Sequence, residues 1–301
     1  MPVWSPLGIW RLAVAIRKAD VIFLNDCLYL SSWIAWIIAC LNRKKIVLLQ
    51  HIDELSYRSR ILRGIVKMGY VISARIMLPG CDRVVFCSRK VERYFHLRFP
   101  FLKHTTHISN GVDVANFRPD ERSTLTPRPR ILFAGRFVER KGLEIIRQLA
   151  INLPGCDWIF AGWGMIDPAS WSLANVHLAG SCKREDMPQL YRDSDLLILP
   201  SYGEGFPLVV QEAISCGLPV LVSRETASGD PTAANFMMVA DLTVSGFETA
   251  VRAFLQRRRQ ELDPALRRRR HEFAVAHWSW AKAVEAYEQE FKKILEPGVA
   301  K

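Results

Sequence analysis

Two glutamates, an arginine and a lysine follow apolar runs of the sequence within a few residues to about a dozen. Glu204 and Glu212 stand eight positions apart in SYGEGFPLVVQEAISCGLPVLVS, residues 201–223. Arg136 and Lys141 follow the apolar run of the segment ILFAGRFVERKGLEII. Carboxylates bind sugar hydroxyls well because their oxygens accept several hydrogen bonds. Two fixed cations suit a pyrophosphate, whose charge needs several donors.

Each pattern also has a plain structural explanation. An arginine and a lysine five positions apart are typical of a solvated basic loop. Glu204 fits a turn residue, and Glu212 fits a charge on the surface of a helix. The spacing alone leaves both interpretations open.

A helix start lies between the two glutamates. Pro207 fits the first helical position, where its missing N–H group costs nothing. The free backbone N–H groups of residues 206–209 can then bind an anion. Glu212 lies about five residues into this helix, roughly 7.5 Å along its axis. The two carboxylates can therefore reach groups on opposite sides of a bound phosphate.

The elements that must position these residues alternate between short apolar runs and longer amphipathic ones. Predicted strands cover 21–25, 45–50, 83–88, 130–135, 158–162, 176–180, 196–201 and 219–223. Predicted helices cover 6–18, 30–41, 55–78, 89–97, 141–152, 185–193, 207–216 and 277–295. Continuous apolar strands separated by helices indicate doubly wound parallel sheets. Ligands bind outside the carboxyl ends of such strands, where both candidate loops begin.

A domain boundary is predicted in the segment 110–130, which has three prolines, mixed charge and no sustained period. It divides the chain into two α/β domains, 1–118 and 119–301. The long amphipathic helix 277–295 is a candidate for packing back on the first domain.

The bulk composition excludes several classes of protein. Half of the 301 residues are hydrophobic and 24% are charged, as in folded soluble proteins. The seven cysteines are scattered without metal-ligand spacing, which predicts reduced thiols and no zinc site. The segment AGWGMI, residues 161–166, does not match G-x-G-x-x-G, so a dinucleotide oxidoreductase is poorly supported.

The net charge of +11 fits polyanionic partners, but it equally fits a solvated basic surface. Residues 55–78 hold five basic residues and no acidic ones. Their apolar stripe of Ile61, Ile65, Met68 and Ile72, beside Arg60, Arg63 and Lys67, predicts an interfacial helix on anionic lipid. A core-facing helix with a cationic outer face is the open alternative. Nucleic-acid binding is disfavoured because no aromatic residues are interleaved with the basic ones.

The amino-terminal segment does not read as a signal peptide, because its basic residues follow the apolar run. The apolar stretch 27–41 is too short for a membrane span and contains two serines. These features predict a cytoplasmic protein, with peripheral contact to the cytoplasmic face of the membrane as an option.

Several longer motifs resemble one known family. GRFVERKG, PSYGEGFPLVVQEAISCGLPVLVS and HISNGVDVANFRP are similar to segments of the retaining GT-B glycosyltransferases of the group-1 or family-4 class. Their hallmark is a glutamate pair in E-x7-E spacing, which Glu204 and Glu212 match. The resemblance implies a GT-B fold, with two Rossmann-like doubly wound parallel-sheet domains facing a cleft.

The resemblance also implies roles for single residues. Arg136 and Lys141 would hold the pyrophosphate of a nucleoside-diphosphate sugar and stabilise the leaving group. Glu204 would contact the hydroxyls of the donor sugar, and Glu212 the ribose. The resemblance places His51 near the reacting sugar. The remaining donor-binding positions are Gly135, Gly205, Phe206, Pro207 and Leu208, the last three lining the phosphate site with their backbone.

No metal or other cofactor is expected, because the resembled family uses cations where other transferases use a metal. Asp193 and Asp195 form a D-x-D pair, but they precede the strand 196–201 at its amino end. A solvated helix end is the predicted role of this pair. The arginine runs 257–259 and 267–270 are predicted to be solvated helix faces.

The chain departs from the family in its first domain. It opens on the helix 6–18 and then a strand that resembles one midway through that domain. The first strands are therefore predicted to be missing, through a late start, a fragmentary gene or a partner that completes the domain.

The resemblance implies transfer of a sugar, with retention, to a saccharide or a lipid-linked acceptor, in cell-surface polysaccharide or glycolipid synthesis. Two alternatives stay open: a non-catalytic remnant that binds a nucleotide or a partner, and a nucleotide-sugar epimerase on the same fold.

Overall fold

The computed structural model contains two α/β units, each built on its own parallel sheet. It describes residues 5–51, 60–120 and 126–296. One unit combines residues 1–109 with 283–301, and the other spans 110–282. The division after Ser109 lies nine residues before the boundary predicted at 118.

The first unit contains a four-stranded sheet in the order β1-β2-β3-β4, with all neighbours parallel. Its strands are β1 (Val21–Asn25), β2 (Lys45–Gln50), β3 (Arg83–Phe86) and β4 (Thr105–His107). Its helices are α1 (Pro6–Lys18), α2 (Leu30–Leu41), α3 (Arg60–Met77) and α4 (Arg89–Arg98). The central strands β2 and β3 are almost wholly buried, as their continuous apolar sequences require.

The second unit contains a six-stranded parallel sheet in the order β10-β9-β8-β5-β6-β7. Its strands are β5 (Arg130–Ala134), β6 (Asp157–Ala161), β7 (Val176–Gly180), β8 (Leu196–Leu199), β9 (Val220–Ser223) and β10 (Met237–Ala240). Its helices are α5 (Leu143–Asn152), α6 (Met187–Arg192), α7 (Leu208–Ser215), α8 (Arg224–Ala227), α9 (Val244–Glu261) and α10 (Pro264–Trp278). Strand β5 therefore lies between β8 and β6.

The last helix, α11 (Trp280–Leu295), begins in the second unit and continues into the first. Ala283 and Ile294 join the core of the first unit, and Tyr287 packs edge-on against Phe23 of β1 at 5.6 Å between ring centroids. The prediction of one helix over 277–295 is wrong. The chain is extended at Ser279, because the neighbouring backbone groups of Trp278 and Trp280 hydrogen-bond to Val112.

Two predictions about solvated charges hold for some of their residues, such as Asp193 and Arg268, and are wrong for others. Asp195 is buried, and its carboxylate pairs with Arg258 at 2.8 Å and accepts the backbone N–H of Arg130. In the second arginine run, Arg267 and Arg270 are buried, and Arg270 pairs with Glu261 at 2.6 Å. These charges lie under the surface because each has an ionic partner on another element or turn.

Helix α3 shows an apolar outer face in its described part. Ile65, Met68, Ile72 and Ile76 are exposed. Residues 55–59 of the predicted interfacial helix lie outside the described residues, as do the side chains at positions 60, 61 and 63. Among the helices that the structure describes, none has the length and apolar character needed to cross a bilayer.

Candidate functional site

Two of the predicted site residues form an ion pair where two neighbouring strands end. Nζ of Lys141 lies 2.8 Å from Oε1 of Glu204, and both side chains are largely buried. Strands β5 and β8 are neighbours in the sheet, so the loops that follow them open at the same edge. The sheet thus brings together a cation and a carboxylate that are 63 positions apart in the sequence.

A short turn positions Lys141 at this edge. Residues Glu139–Lys141 form a single 3-10 turn, and Gly142 ends it with a φ of 71°. A side chain at Gly142 would place its Cβ 2.1 Å from the carbonyl oxygen of Pro200, at the exit of β8. The close approach of these two backbones therefore requires glycine. It fixes the lysine turn directly against the loop that contains Glu204.

The loop after β8 is tied down by its own backbone. The N–H of Tyr202 donates to the carbonyl oxygen of Arg140 at 3.0 Å, and the N–H of Gly203 donates to Oε1 of Glu225 at 2.9 Å. These bonds hold the loop that carries Glu204 against the lysine turn on one side and against α8 on the other.

An aromatic pair supports the predicted phosphate loop from below. The buried ring of Phe206 packs on Trp278 at 5.5 Å, and Nε1 of Trp278 donates to Oδ2 of Asp230 at 2.8 Å. The backbone at Gly229 lies so close that a Cβ there would sit 2.2 Å from the carbonyl oxygen of Gly205. Sequence reasoning missed Asp230 and Gly229, because both are remote from the loop along the chain.

Helix α7 begins at Leu208, one residue later than predicted, with Pro207 as its N-cap residue. No side-chain hydrogen bond caps this end of the helix. The first amides of a helix have no partner within the helix, so the backbone N–H groups of Leu208 and Val209 are suited to an anion.

Glu212 is not a surface charge. It is buried on α7, and the hydroxyl of the fully buried Tyr191 on α6 donates to its Oε2 at 2.9 Å. Burial raises the pKa of Glu212, while the hydrogen bond from Tyr191 and the charge of Arg184 oppose that rise. Sequence reasoning missed Tyr191, which lies 21 positions before the carboxylate it contacts.

We expect Glu212→Gln to change how stability depends on pH. The folded-state pKa of Glu212 lies above its ordinary value of 4.5, so the folded chain binds this proton more tightly than the unfolded chain. The resulting stabilisation is fully present below about pH 4.5 and is lost as pH rises through the folded pKa. The melting temperature of the native protein, relative to that of Glu212→Gln, should therefore increase as pH falls from 7 towards 4.5.

Glu185→Gln is the control for this measurement, because it removes one exposed carboxylate from the neighbouring loop. A difference between the native protein and Glu212→Gln that stays constant from pH 7 to pH 4.5 would contradict the burial argument.

Arg136 directly follows Gly135, which is the first residue after β5 and has a φ of 147°. Its side chain is exposed. The Cβ of a residue at position 135 would lie 3.9 Å from Nζ of Lys141, so the ammonium folds back over the end of this strand. Gly135, Arg136 and Lys141 therefore belong to one strand exit, as predicted from the sequence.

His51 belongs to the first unit and follows β2. Its backbone is held from both sides, since its N–H donates to Oδ1 of Asp26 at 3.3 Å and its carbonyl oxygen accepts from Sγ of Cys87 at 3.3 Å. The buried Asp26 has a φ of 54°, which is rare for a residue with a side chain, and it also accepts from Nε2 of Gln50. The role of His51 near a reacting sugar stays a prediction.

Two family models match the chain, one on each side of the linker. The model described as "Glycosyltransferase Family 4" matches residues 1–116, and the model described as "Glycosyl transferases group 1" matches residues 128–257.

Within the described ranges, no group of three or more histidine, cysteine, aspartate or glutamate side chains could hold a metal ion.

The chain is also similar to curated proteins, among them a glycosyltransferase and a glycogen synthase. The D-inositol 3-phosphate glycosyltransferase of Mycolicibacterium smegmatis is 28% identical, over 62% of this chain and 47% of its own length. The glycogen synthase of Mycobacterium tuberculosis is also 28% identical, over 63% of this chain and 48% of its own length. The chain spans about half of the length of these relatives.

Solved structures share the fold. Sucrose-phosphate synthase from Thermosynechococcus elongatus has a TM-score of 0.82 at 19% identity, covering 96% of this chain and 77% of its own. Anabaena HepE in complex with UDP has a TM-score of 0.78 at 15% identity, covering 95% and 82%. The predicted GT-B fold, with two parallel-sheet α/β domains, is confirmed. The two family models together match most of the chain, so the predicted resemblance to the glycosyltransferases of group 1 and family 4 is confirmed.

Proposed function

We propose that this chain is the transferase part of a retaining enzyme that takes a sugar from a nucleoside-diphosphate sugar. The observation that carries the proposal is the buried pair of Lys141 and Glu204 beside the uncapped start of α7. A cation and free amides suit the diphosphate. The adjacent carboxylate suits the hydroxyls of the sugar that the diphosphate carries.

Glu204 accepts hydrogen bonds from the donor sugar, while Arg136 and Lys141 neutralise the diphosphate. Glu212 accepts from the ribose through the oxygen that Tyr191 does not engage, since Tyr191 donates to Oε2. The hydroxyl of Tyr191 thereby fixes the orientation of the carboxylate.

In the proposed reaction, the bond between the sugar's anomeric carbon and the phosphate oxygen breaks. The bond to the acceptor oxygen forms on the same face of the sugar. The leaving phosphate oxygen takes the proton of the acceptor hydroxyl, and no metal or cofactor takes part. Arg136 and Lys141 stabilise the charge that develops on the nucleoside diphosphate. His51 would lie near the reacting sugar.

A donor screen tests this function. Thermal unfolding is measured with UDP-, GDP- and ADP-sugars, beginning with UDP-glucose because it is bound in one HepE structure. We expect one donor to raise the melting temperature, since a ligand that binds the folded state stabilises it. Stabilisation by none of these donors would favour the non-catalytic remnant.

The stereochemistry of the product is the second part of the test. With the stabilising donor and a panel of saccharide and lipid-linked acceptors, we expect a product that keeps the anomeric configuration of the donor. An inverted product would contradict retention. Conversion of the donor without any acceptor, to a donor with an epimerised sugar, would favour the epimerase.

We also propose that the acceptor is lipid-linked, used in glycolipid or cell-surface polysaccharide synthesis at the cytoplasmic face of the membrane. The exposed residues Ile65, Met68 and Ile72 on α3, with Lys67 beside them, support contact with anionic lipid. Apolar side chains that enter the headgroup region and a basic residue that pairs with anionic lipid act together there.

We expect Met68→Glu to weaken sedimentation with vesicles that contain phosphatidylglycerol, on the order of 10-fold, because it places a charge in the apolar face. Leu97→Glu, at an exposed apolar position on α4, is the matched control. Equal binding of both variants, or equal binding to pure phosphatidylcholine vesicles, would contradict the membrane proposal.

A further inference from the structure

The loop after β6 presents a tryptophan at the ligand edge of the second sheet. Trp163 and Met165 are 64% and 85% exposed. Large aromatic side chains bury a large area when they find a partner, so an indole left in solvent at a ligand-binding edge is a candidate contact. The roles proposed above do not use it.

The pairing of β5 with β6 continues beyond the two strands. Ala134 lies opposite Ala161 at the ends of the strands. Three residues further along each segment, Phe137 lies opposite Gly164. Because the spacing is equal in the two segments, the register does not shift between these pairs. The N–H of Gly135 also donates to the carbonyl oxygen of Ala161 at 2.9 Å.

This register places Arg136 directly opposite Trp163. The N–H of Phe137 donates to the carbonyl oxygen of Trp163 at 2.7 Å, as parallel pairing requires. Neighbouring parallel strands lie about 4.8 Å apart, and the two backbones keep this pairing beyond the strand ends. Trp163 and Arg136, a proposed diphosphate cation, are therefore lateral neighbours.

Two glycines fix the backbone on either side of the indole. A Cβ at Gly162, whose φ is 144°, would lie 1.9 Å from the carbonyl oxygen of Gly135. A Cβ at Gly164 would lie 2.3 Å from the carbonyl oxygen of Phe137. The backbone of this loop therefore contacts the backbone of the segment that contains Arg136. It does not need to become ordered when a ligand binds.

The order of the strands indicates which part of a donor reaches Trp163. Glu204 follows β8, Lys141 and Arg136 follow β5, and Trp163 follows β6, and these strands are consecutive neighbours. A nucleoside-diphosphate sugar has the same linear order of sugar, diphosphate and nucleoside. With the diphosphate at β5 and the sugar towards β8, the nucleoside extends towards β6.

We propose that Trp163 is the stacking surface for the nucleobase of the donor. This inference rests on the proposed function and adds the contact that holds the base. Every nucleobase has a π face, and an indole is an efficient partner for it. Stacking on a rigid loop also tolerates different bases, so Trp163 contributes to affinity for the nucleoside without choosing among bases.

The test compares dissociation constants for UDP, GDP and ADP with those for inorganic pyrophosphate. We expect Trp163→Ala to weaken the nucleoside diphosphate that the native protein binds by roughly 5- to 100-fold, the range measured for stacked bases. Pyrophosphate should bind both proteins within about twofold. Trp163→Phe, which keeps a ring, should restore most of the affinity.

Met165→Ala is the matched control, because it truncates a more exposed apolar side chain of the same loop. It should leave the affinity unchanged. An equal loss for pyrophosphate and nucleotide, or an unchanged nucleotide affinity in Trp163→Ala, would overturn the proposal. An unchanged nucleotide affinity with a raised KM for the acceptor would assign the indole to the acceptor instead. Failure of the native protein to bind any of the three nucleotides would refute the proposed function itself.

Discussion

Lys141→Ala should lower turnover of the donor by about 10²- to 10³-fold, the range typical for loss of one preorganised group that stabilises developing charge. The ammonium of Lys141 is held 2.8 Å from Glu204 and folds over the end of β5. In the alanine variant, water would have to reorganise around the developing charge, whereas the ammonium is already in place. Donor hydrolysis and transfer to acceptor are the two assays, with the melting temperature measured alongside to confirm folding.

Arg147→Ala is the control for this experiment, because it removes a cation from the exposed surface of α5, where Arg147 pairs only weakly with Glu144 at 3.3 Å. It should keep full activity. Arg136→Ala and Glu204→Ala should lose activity as Lys141→Ala does. Native turnover in all three site variants would refute the assignment of the donor site.

Gly142→Ala should destabilise the protein by about 2–5 kcal/mol and disable the site together with the fold. Its φ of 71° strains any residue with a side chain, and the new Cβ would lie 2.1 Å from the carbonyl oxygen of Pro200. Relief of this clash must move the turn of Lys141 away from the exit of β8. Urea-induced unfolding measures the change in the free energy of unfolding, and donor turnover reports the displacement.

Gly155→Ala supplies the comparison, since nothing lies within 4 Å of the new Cβ in the loop between α5 and β6. Its effect should stay within about 0.5 kcal/mol. Equal stability and equal turnover of the two alanine variants would show that the backbone contact at Gly142 does not position Lys141.

Long apolar segments made most of the fold predictable. The ends of the predicted strands agree within two residues with those of the corresponding observed ones. Strand β4 was not predicted because TTH has no apolar run, and β10 was missed although MMVA is a short apolar run. The arginine runs 257–259 and 267–270 were assigned to helices, but no ranges were predicted for α9 and α10, and the apolar positions Phe247, Val251 and Phe254 of α9 were missed.

The candidate site was predictable in its parts and not in its contacts. Residue type and position at a strand exit made Arg136, Lys141 and Glu204 candidates, and the family resemblance implied their roles. The ion pair between Lys141 and Glu204 depends on β5 and β8 being neighbours, which no local pattern encodes. The contact of Tyr191 with Glu212 depends in the same way on the packing of α6 against α7.

The glycines that flank Trp163 have a consequence for protein engineering. Positions 162 and 164 are locked by backbone contact, whereas the side chains at 163 and 165 project into solvent. The backbone of the loop thus has a fixed conformation, whereas the two exposed side chains can be replaced. Libraries confined to these two positions can vary what the sheet edge offers to a ligand while leaving the scaffold intact.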